Sequence, residues 1–567
     1  MKLTKFIYIT LLCLVATSLS IKAQVTDTTK NKATAVIQDI EVVRPYKPIL
    51  AEAVKLRRSP DLNDVKTYKA KFNYNLTERK LELNSDINKL QAQQVAEERK
   101  AELINNYVKG AIGSARTVLA EGYANIGADP ALQAGAFFQH LGQSGKLNRQ
   151  RADNQRLSVF GRTIGDYATL SGRVNFERNG LYFYGIDPEN PALNPDPERQ
   201  VFKFFEAEGE VVNKFTDDPD EFSYAAKING YAWSDKFDAK ESSVILNGYL
   251  NKRISSFNLG LASSVEFGGT RDELTDINNN IFKLNPYIKL QTNGVTINAG
   301  INFVQEFGSE DMSSSRIFPA ITADFTMIPD YLQIFGELKG DVNRSSLKEF
   351  TDENPFLNRN IFIKNSVEKL SISGGIKGTG GPGFGYKARV YFKSIEDMPL
   401  FVNSFNEFNK FDVIYDYGKT KLTGLEGEIS VQVSDALKWT GKVNIEDYKP
   451  AAETQSWFKP QMRLNSNLRL RFSESVSLDA SVAIQGDSKA KIYTAAPANP
   501  YLLPDPANER VVSVKGFVDL GAGATYKINN KFSAFARVNN LLNNSYSRYL
   551  YYEAIGLNIF GGVSYSF

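Results

Sequence analysis

Few residues in this sequence could do chemistry, and their spacing does not bring them together. His140 is the only histidine among 567 residues, and Cys13 is the only cysteine. A hydrolase would need His140 as a general base beside a serine. Ser144 follows it, but four residues along a strand span about 13 Å, beyond hydrogen-bond reach. A serine on another strand is the alternative. A single histidine also disfavours a transition-metal site. We therefore predict that the chain is not an enzyme and has no catalytic residue, metal site or cofactor.

Three further stretches match ligand-binding motifs only in part. The run from Gly378 to Gly385 lies between strand-like segments with no helix after it, so we interpret it as a hairpin connection. Gly418-Lys419-Thr420 is like the end of a phosphate-binding loop, but Val413 occupies the position of the required first glycine. The acidic run Asp217–Glu221 is more typical of a solvated turn than of a calcium site. The net charge of +3 gives no electrostatic reason to expect a nucleic-acid partner.

The first residues are typical of a secretory signal. Lys2 and Lys5 precede an apolar run from Phe6 to Leu19, which is too short for a transmembrane helix, and Ala23 supplies a small residue for cleavage. We predict a signal peptide over residues 1–23. Residues 24–104 are largely polar and too few to bury a substantial core, so we predict a short leader segment there.

From residue 105 to residue 567 the sequence alternates apolar and polar residues. In the last stretch one face carries Leu557, Ile559, Gly561, Val563, Tyr565 and Phe567, and the other face is mainly polar. Such alternation predicts a β-strand with one apolar side, and it recurs at 295–303, 464–472, 476–484 and 518–526. A soluble sandwich is the alternative. A final strand that ends in an aromatic residue is more typical of an outer-membrane barrel. We expect Val563, Tyr565 and Phe567 to form the barrel-closing signal.

Connection lengths also alternate. Short turns such as Asn293-Gly294 are interspersed with long connections such as Asp187–Arg199 and Gln485–Arg510. At roughly 20 residues per strand plus connection, residues 105–567 hold about 22 strands. We therefore predict an all-β fold, a transmembrane outer-membrane β-barrel of about 22 antiparallel strands over residues 105–567. A short N-terminal periplasmic segment over residues 24–104 precedes it.

The polar faces of two neighbouring predicted strands carry opposite charges. Pairing of 464–472 with 476–484 sets Arg469 and Arg471 near Asp479. We predict that all three residues face the lumen, because the opposite orientation would put arginine into lipid.

Two tyrosine-rich stretches, 182–184 and 546–552, contain rings that favour a membrane interface. We predict that they belong to the aromatic girdles of the barrel. The alternative is a sugar- or peptide-binding aromatic surface in the outer loops.

Four stretches resemble the barrel of a TonB-dependent outer-membrane receptor: Leu422–Val433, Phe517–Tyr526, Phe535–Tyr546 and Ile555–Phe567. Within them the run VNNLLN at residues 538–543 is similar to the family's turn before the closing strand. The resemblance implies energised uptake of a solute. The sequence departs from the family at its N-terminus, where residues 24–104 are too few for a full plug domain. Ile37, Ile40, Val42 and Val43 are interpreted as the remnant of a TonB box or of a plug.

Two functions fit this pattern. The first is transport of a solute across the outer membrane. The alternative is a non-transporting structural or assembly subunit of an outer-membrane complex, with its lumen filled by a partner. The partners expected are outer-membrane lipid, the barrel-assembly machinery, and either TonB or a periplasmic or surface lipoprotein. After signal-peptide cleavage we expect the chain in the cell outer membrane.

Overall fold

The computed structural model describes residues 106–126, 132–188, 194–213, 222–254, 257–292, 294–309, 312–381, 383–434, 436–494 and 506–567. The signal peptide, the leader, the acidic run Asp217–Glu221 and the segment with Ile37, Ile40, Val42 and Val43 lie outside the described residues. Their assignments stay predictions.

The described chain is almost entirely β-structure, with one helix and a short 3₁₀ turn at Pro506–Asn508. The strands are β1 (Tyr107–Gly113), β2 (Val118–Ile126), β3 (Leu132–Ser144), β4 (Arg151–Ile164), β5 (Ala168–Tyr182), β6 (Arg199–Asn213), β7 (Phe222–Ser234), β8 (Lys240–Ile254), β9 (Phe257–Arg271), β10 (Asp276–Thr292), β11 (Val295–Gly308), β12 (Ser314–Ile328), β13 (Leu332–Asn343), β14 (Ser366–Thr379), β15 (Phe384–Asn403), β16 (Phe411–Ser434), β17 (Leu437–Lys449), β18 (Met462–Arg471), β19 (Val476–Gln485), β20 (Ser488–Tyr493), β21 (Glu509–Val514), β22 (Phe517–Lys527), β23 (Phe532–Asn539) and β24 (Asn558–Ser566). The helix α1 is Leu347–Glu353. No helix in this part of the chain is both long and apolar enough to cross a membrane.

Twenty-two of these strands form one closed antiparallel sheet. Each pairs with its neighbours in sequence, except that β20 and β21 form a separate hairpin and β19 pairs with β22. The ring closes where β24 pairs with β1, in a register that sets Tyr107 opposite Ser566 and Gly113 opposite Phe560. The prediction of an all-β barrel of about 22 antiparallel strands is confirmed.

The two faces of the sheet differ as the period-two pattern requires. Phe202 on β6 and Phe411 on β16 belong to one buried cluster although their strands are far apart in the ring, so they lie on the inner face. Exposed apolar side chains occupy the alternate positions of the strands, for example Val244, Ile301, Ile334, Val390, Leu425 and Val563. An apolar band on the outer face suits contact with lipid.

The two ends of the barrel differ in the lengths of their connections. Short connections such as 165–167 and 528–531 lie at one end, here called the turn end. Asn106 and Phe567 also lie there, where the Phe567 N–H donates to the Asn106 carbonyl at 2.9 Å. The connections 344–365, 450–461, 486–516 and 540–557 lie at the other end, here called the loop end. This arrangement agrees with the predicted alternation of short and long connections.

The seam between β1 and β24 depends on a close approach of the two backbones at Gly562. A methyl group at Gly562 would overlap the Gly110 carbonyl oxygen and the Ala111 Cβ atom. At Gly441 on β17, by contrast, no atom lies within 4 Å of an added Cβ atom.

We predict that Gly562→Ala weakens barrel closure, because overpacking of this kind costs about 1–3 kcal/mol. The folded, heat-modifiable band on gels should decrease, and the urea midpoint of the purified barrel should fall. Gly441→Ala is the matched control and should behave like the wild type. Equal folding of both variants would contradict a close-packed seam.

Candidate functional site

The long connections at the loop end fold inward and pack on one another. We call this assembly the cap; it comprises the connections 344–365, 404–410, 450–461 and 540–557 together with the β20–β21 hairpin. Together with the upper parts of several strands, the cap forms one buried cluster. Its largest buried side chains include Leu347, Phe350, Leu357, Ile361, Ile363, Phe401, Phe411, Trp457, Phe458, Tyr549 and Tyr552. The loop end of the described barrel is therefore covered by a hydrophobic core of its own.

Connection 344–365 holds the cap together, and it begins with helix α1. Ser346 caps the helix, since its Oγ accepts the Glu349 N–H at 3.1 Å. Leu347 and Phe350, one turn apart, are both buried, so the helix turns one apolar side to the cluster. The helix ends before Pro355, which disfavours helical backbone at Asn354.

The two ends of connection 344–365 are fastened at one point. The side-chain amides of Asn279 on β10 and Asn365 donate to each other at 2.7 and 2.9 Å. Asn365 Oδ1 also accepts the Ser345 N–H at 3.1 Å, and Asn365 Nδ2 donates to Glu306 at 2.9 Å. All of these groups are buried. The segment between Ser345 and Asn365 is therefore a loop with closely held ends.

The middle of connection 344–365 is inserted among aromatic rings of other connections. Phe356 stacks on Tyr552 with ring centroids 3.5 Å apart and meets Tyr184 edge-on at 6.0 Å. The hydroxyls of Tyr549 and Tyr552 donate to the carbonyl oxygens of Glu353 and Asn409. These rings therefore combine apolar packing with satisfied polar groups, as buried tyrosine requires.

Ion pairs fasten the same connection to neighbouring loops. Glu353 receives Lys459 Nζ at 2.6 Å, and Arg359 contacts Glu198 at 3.2 Å. Burial works to raise the pKa of Glu353, but the positive charges of Lys459, Arg463 and Arg548 hold that pKa below its usual range. Glu353 is therefore an ionised anchor for the cap.

A cavity of about 450 Å³ lies beneath α1, inside the barrel. We call it the sub-cap cavity; it is lined by Ser264, Glu266, Ile281, Lys283, Val342, Asn343, Arg344 and Glu349. Arg344 pairs with Glu266 at 3.0 Å, and Lys283 pairs with Asp341 at 2.7 Å.

Glu349 is the acidic residue of α1 that lines this cavity. Its side chain is open to the cavity but has protein on most other sides, and this burial raises its pKa from 4.5 to about 7. Arg344 and Lys348 oppose that rise, while Glu241 and Glu266 add to it.

The charged residues predicted from sequence lie on paired strands. Arg469 Nε donates to Asp479 at 2.8 Å, and the two residues are direct partners across β18 and β19. Arg471 lies opposite Ser477. They occupy the face opposite the exposed Leu468 and Leu478. Their orientation toward the lumen stays a prediction.

The motifs rejected from the sequence lie in ordinary β-structure. Gly378 and Gly385 lie at the paired ends of β14 and β15, so this stretch includes the connection of a hairpin between the two strands, as predicted. Gly418-Lys419-Thr420 lies within β16. His140 lies on β3 opposite Ala120 and Gln155, and Ser144 is the last residue of that strand.

The interface prediction for the tyrosine-rich stretches is wrong for Tyr549 and Tyr552. Both are buried in the cap, because connection 540–557 folds inward and their hydroxyls meet backbone carbonyls there. The helix α1 was also missed by sequence reasoning. The spacing of Ser346 and Glu349 is that of a capping box and could have indicated where the helix begins.

We predict that the cap is less stable at higher pH because of Glu349. A raised carboxyl pKa means that the closed cap binds a proton more tightly than the open one. The stabilisation of the closed cap by this proton is fully present below about pH 4.5 and is lost as the pH rises to about 7. Hydrogen exchange of residues 344–365, corrected for intrinsic rates, should be several-fold slower at about pH 5.5 than at about pH 8.

In the variant Glu349→Gln the side chain is neutral at every pH, so the difference in hydrogen exchange between the two pH values should shrink. An unchanged difference in the variant would assign the pH dependence to another group, such as Asp352, whose pKa is also raised by burial.

The sequence matches no family model and no curated protein. The fold, however, is found among solved structures. The FrpB iron transporter from Neisseria meningitidis is similar over 82% of this chain and 81% of its own, with 11% identity and a TM-score of 0.61. The ferric-catecholate import receptor Fiu from K12 E. coli matches over 82% of each chain, with 11% identity and a TM-score of 0.60.

The siderophore receptor PirA from Acinetobacter baumannii covers 82% of this chain and 80% of its own, at 11% identity and a TM-score of 0.59. Identities this low support a shared fold only. The described part of the chain has the closed-barrel fold of these receptors, which confirms the resemblance to the barrel of a TonB-dependent outer-membrane receptor.

Proposed function

We propose that this protein is an outer-membrane barrel that takes part in transporting a solute across that membrane. The observation that carries the proposal is the closed 22-strand barrel, whose fold is that of proteins described as an iron transporter and as import receptors. Its exposed apolar outer face suits contact with lipid, and the Arg469–Asp479 ion pair, which we predict to face the lumen, suits a hydrated interior.

Passage through such a barrel requires the cap to move. Connection 344–365 covers the loop end, and its middle is held by Phe356, Tyr549, Tyr552 and the Glu353–Lys459 ion pair. Its two ends are fastened together at Asn279 and Asn365. Release of the middle alone would let the segment swing about this fixed point while the barrel wall stays intact. We therefore propose connection 344–365 as the gate.

The partners that accompany this function remain those expected from the sequence. Lipid would cover the apolar outer face, and the barrel-assembly machinery would insert the chain. TonB, acting on the segment with Ile37, Ile40, Val42 and Val43, or a periplasmic or surface lipoprotein would supply the movement of the gate.

The test is the conductance of the purified full chain in planar bilayers. We expect the wild type to be mostly closed, because the cap covers the loop end. The double variant Phe356→Ala with Tyr552→Ala removes the stacked pair and should raise the open fraction several-fold. Phe362→Ala is the control, since Phe362 lies in the same connection but is exposed.

Cells that make the double variant should also become sensitive to vancomycin, which an intact outer membrane excludes. If the wild type and all variants stay closed although hydrogen exchange shows an open cap in the double variant, the proposal of transport through the barrel is wrong. The chain would then be better described as a non-transporting subunit.

A further prediction concerns assembly. Val563 and Tyr565 lie on β24, which closes the ring, and Phe567 directly follows this strand and is exposed. Deletion of Phe567 should lower the amount of heat-modifiable barrel in the membrane several-fold, because the assembly machinery would lose its signal. Phe567→Tyr keeps the aromatic end and should assemble normally. Normal abundance of the deletion variant would show that the signal lies elsewhere.

A further inference from the structure

We propose that the outer wall of the barrel carries a discrete binding site for a phosphorylated membrane lipid. The site is formed by Lys203, Ser234 and Lys240, at the ends of strands β6, β7 and β8 that lie nearest the loop end. This inference goes beyond transport, because it concerns the outer side of the wall and not the lumen. It requires only that the barrel lies in a membrane.

The three residues share the outer face of the sheet. Lys203 is exposed and follows the buried Phe202, and Lys240 is exposed and precedes the buried Glu241. Because successive side chains of a strand point to opposite faces, both lysines point away from the interior. Ser234 lies directly opposite each of them, across the β6–β7 and β7–β8 pairings. A serine between two lysines is therefore presented outward on three neighbouring strands.

The site lies within a row of basic residues that crosses five strands. Arg178 on β5 is directly opposite Lys203, and Lys240 is directly opposite Arg271 on β9. Like charges that face each other directly across a sheet are destabilising. The row itself contains four cations, one serine and no carboxylate, so its stability depends on anions supplied from elsewhere.

Carboxylates of the protein compensate only the two outer cations of this row. Arg178 pairs with Asp153 at 2.5 Å, and Arg271 pairs with Asp276 at 2.6 Å. The two lysines between them make no ion pair or hydrogen bond through their ammonium groups with another described residue. Two neighbouring positive charges of the outer wall are thus left for an external anion.

One anion can engage both lysines. Lys203 and Lys240 are two strand spacings apart, about 10 Å between their Cα atoms, and their long side chains can converge above Ser234. A phosphate group would accept hydrogen bonds from both ammonium groups and from the Ser234 hydroxyl, which bonds to no other described residue. Asp238 in the connection 235–239 is exposed and pairs with neither lysine, so it does not occupy the site.

An apolar groove runs from Ser234 toward the middle of the wall. The next outer positions of β7 are Ala232 and Gly230, whereas the larger Phe205 and Val244 lie opposite them on the flanking strands and are 48% and 44% exposed. A Cβ atom added at Gly230 would meet no atom closer than 3.9 Å, so the groove is open there. An acyl chain would lie in this groove while the phosphate binds at its end. A free phosphate ion would make no use of it, and the combination therefore favours a lipid.

The test is native mass spectrometry of the purified full chain in a non-ionic detergent, titrated with dioctanoyl phosphatidate. Dioctanoylglycerol has the same chains without the phosphate, and inorganic phosphate supplies the anion without the chains. We expect saturable binding of phosphatidate and about tenfold weaker binding of both other probes. Equal binding of dioctanoylglycerol would show that the phosphate is not recognised. Equal binding of inorganic phosphate would show a site for a free anion, and either result would overturn the proposal.

Two variants locate the binding. Lys203→Gln and Lys240→Gln each remove one charge-assisted hydrogen bond and should weaken phosphatidate binding about tenfold. Lys252→Gln is the matched control and should bind like the wild type, because Lys252 is exposed on the same strand, β8, but lies near the turn end. Heat modifiability on gels shows that each variant is folded. Unchanged affinity in both site variants, or an equal loss in Lys252→Gln, would reject this site.

Discussion

The pairing of β24 with β1 is the contact on which the rest of the barrel depends. A sheet whose outer face is apolar cannot leave an edge unpaired in lipid, since no water is present to satisfy the free N–H and C=O groups. Seven residue pairs from Tyr107–Ser566 to Gly113–Phe560 close this edge. The seam is short because β1 has only seven residues, so its packing is decisive. With the seam closed, each of the 22 barrel strands has two neighbours, and the polar interior and the cap have a fixed frame.

Closure of the barrel creates a second constraint, because the side chains and connections inside it must be packed or hydrogen-bonded. Long connections at one end could stay in water, but their aromatic residues favour burial. In this chain they are buried on one another and on the upper strands, and the tyrosine hydroxyls are satisfied by carbonyls of neighbouring connections. Beneath them the wall is polar, with charges paired locally, as Arg344 with Glu266 shows. The apolar cap and the polar wall below it meet at helix α1, where Glu349 takes its raised pKa.

The barrel wall could be predicted from the sequence, but the cap could not. Strand alternation is a local property, so the apolar face of the last strand, the strand count and the pairing of Arg469 with Asp479 could be worked out from neighbouring residues. The cap depends on contacts such as Phe356 with Tyr552 and Glu353 with Lys459, which are far apart in the chain. Nothing in the tyrosine-rich stretch itself distinguishes a ring at a membrane interface from a ring folded inward. The sub-cap cavity could not be predicted for the same reason, since its lining comes from strands β9, β10 and β13 together with Arg344 and Glu349 of connection 344–365.

The unequal lengths of the strands give the loop end a direction of approach. About ten residues are enough for a strand to cross the hydrocarbon, yet β15 and β16 have 20 and 24 residues. The halves of these two strands nearer the loop end must therefore project beyond the bilayer. Lys419 and Lys421 are exposed there. β1 and β2, at seven and nine residues, leave the rim low elsewhere. With the loop end outward, as the long connections predict, an antibody or phage would meet these projecting strands first, while a small molecule would reach the cap most easily over the low rim.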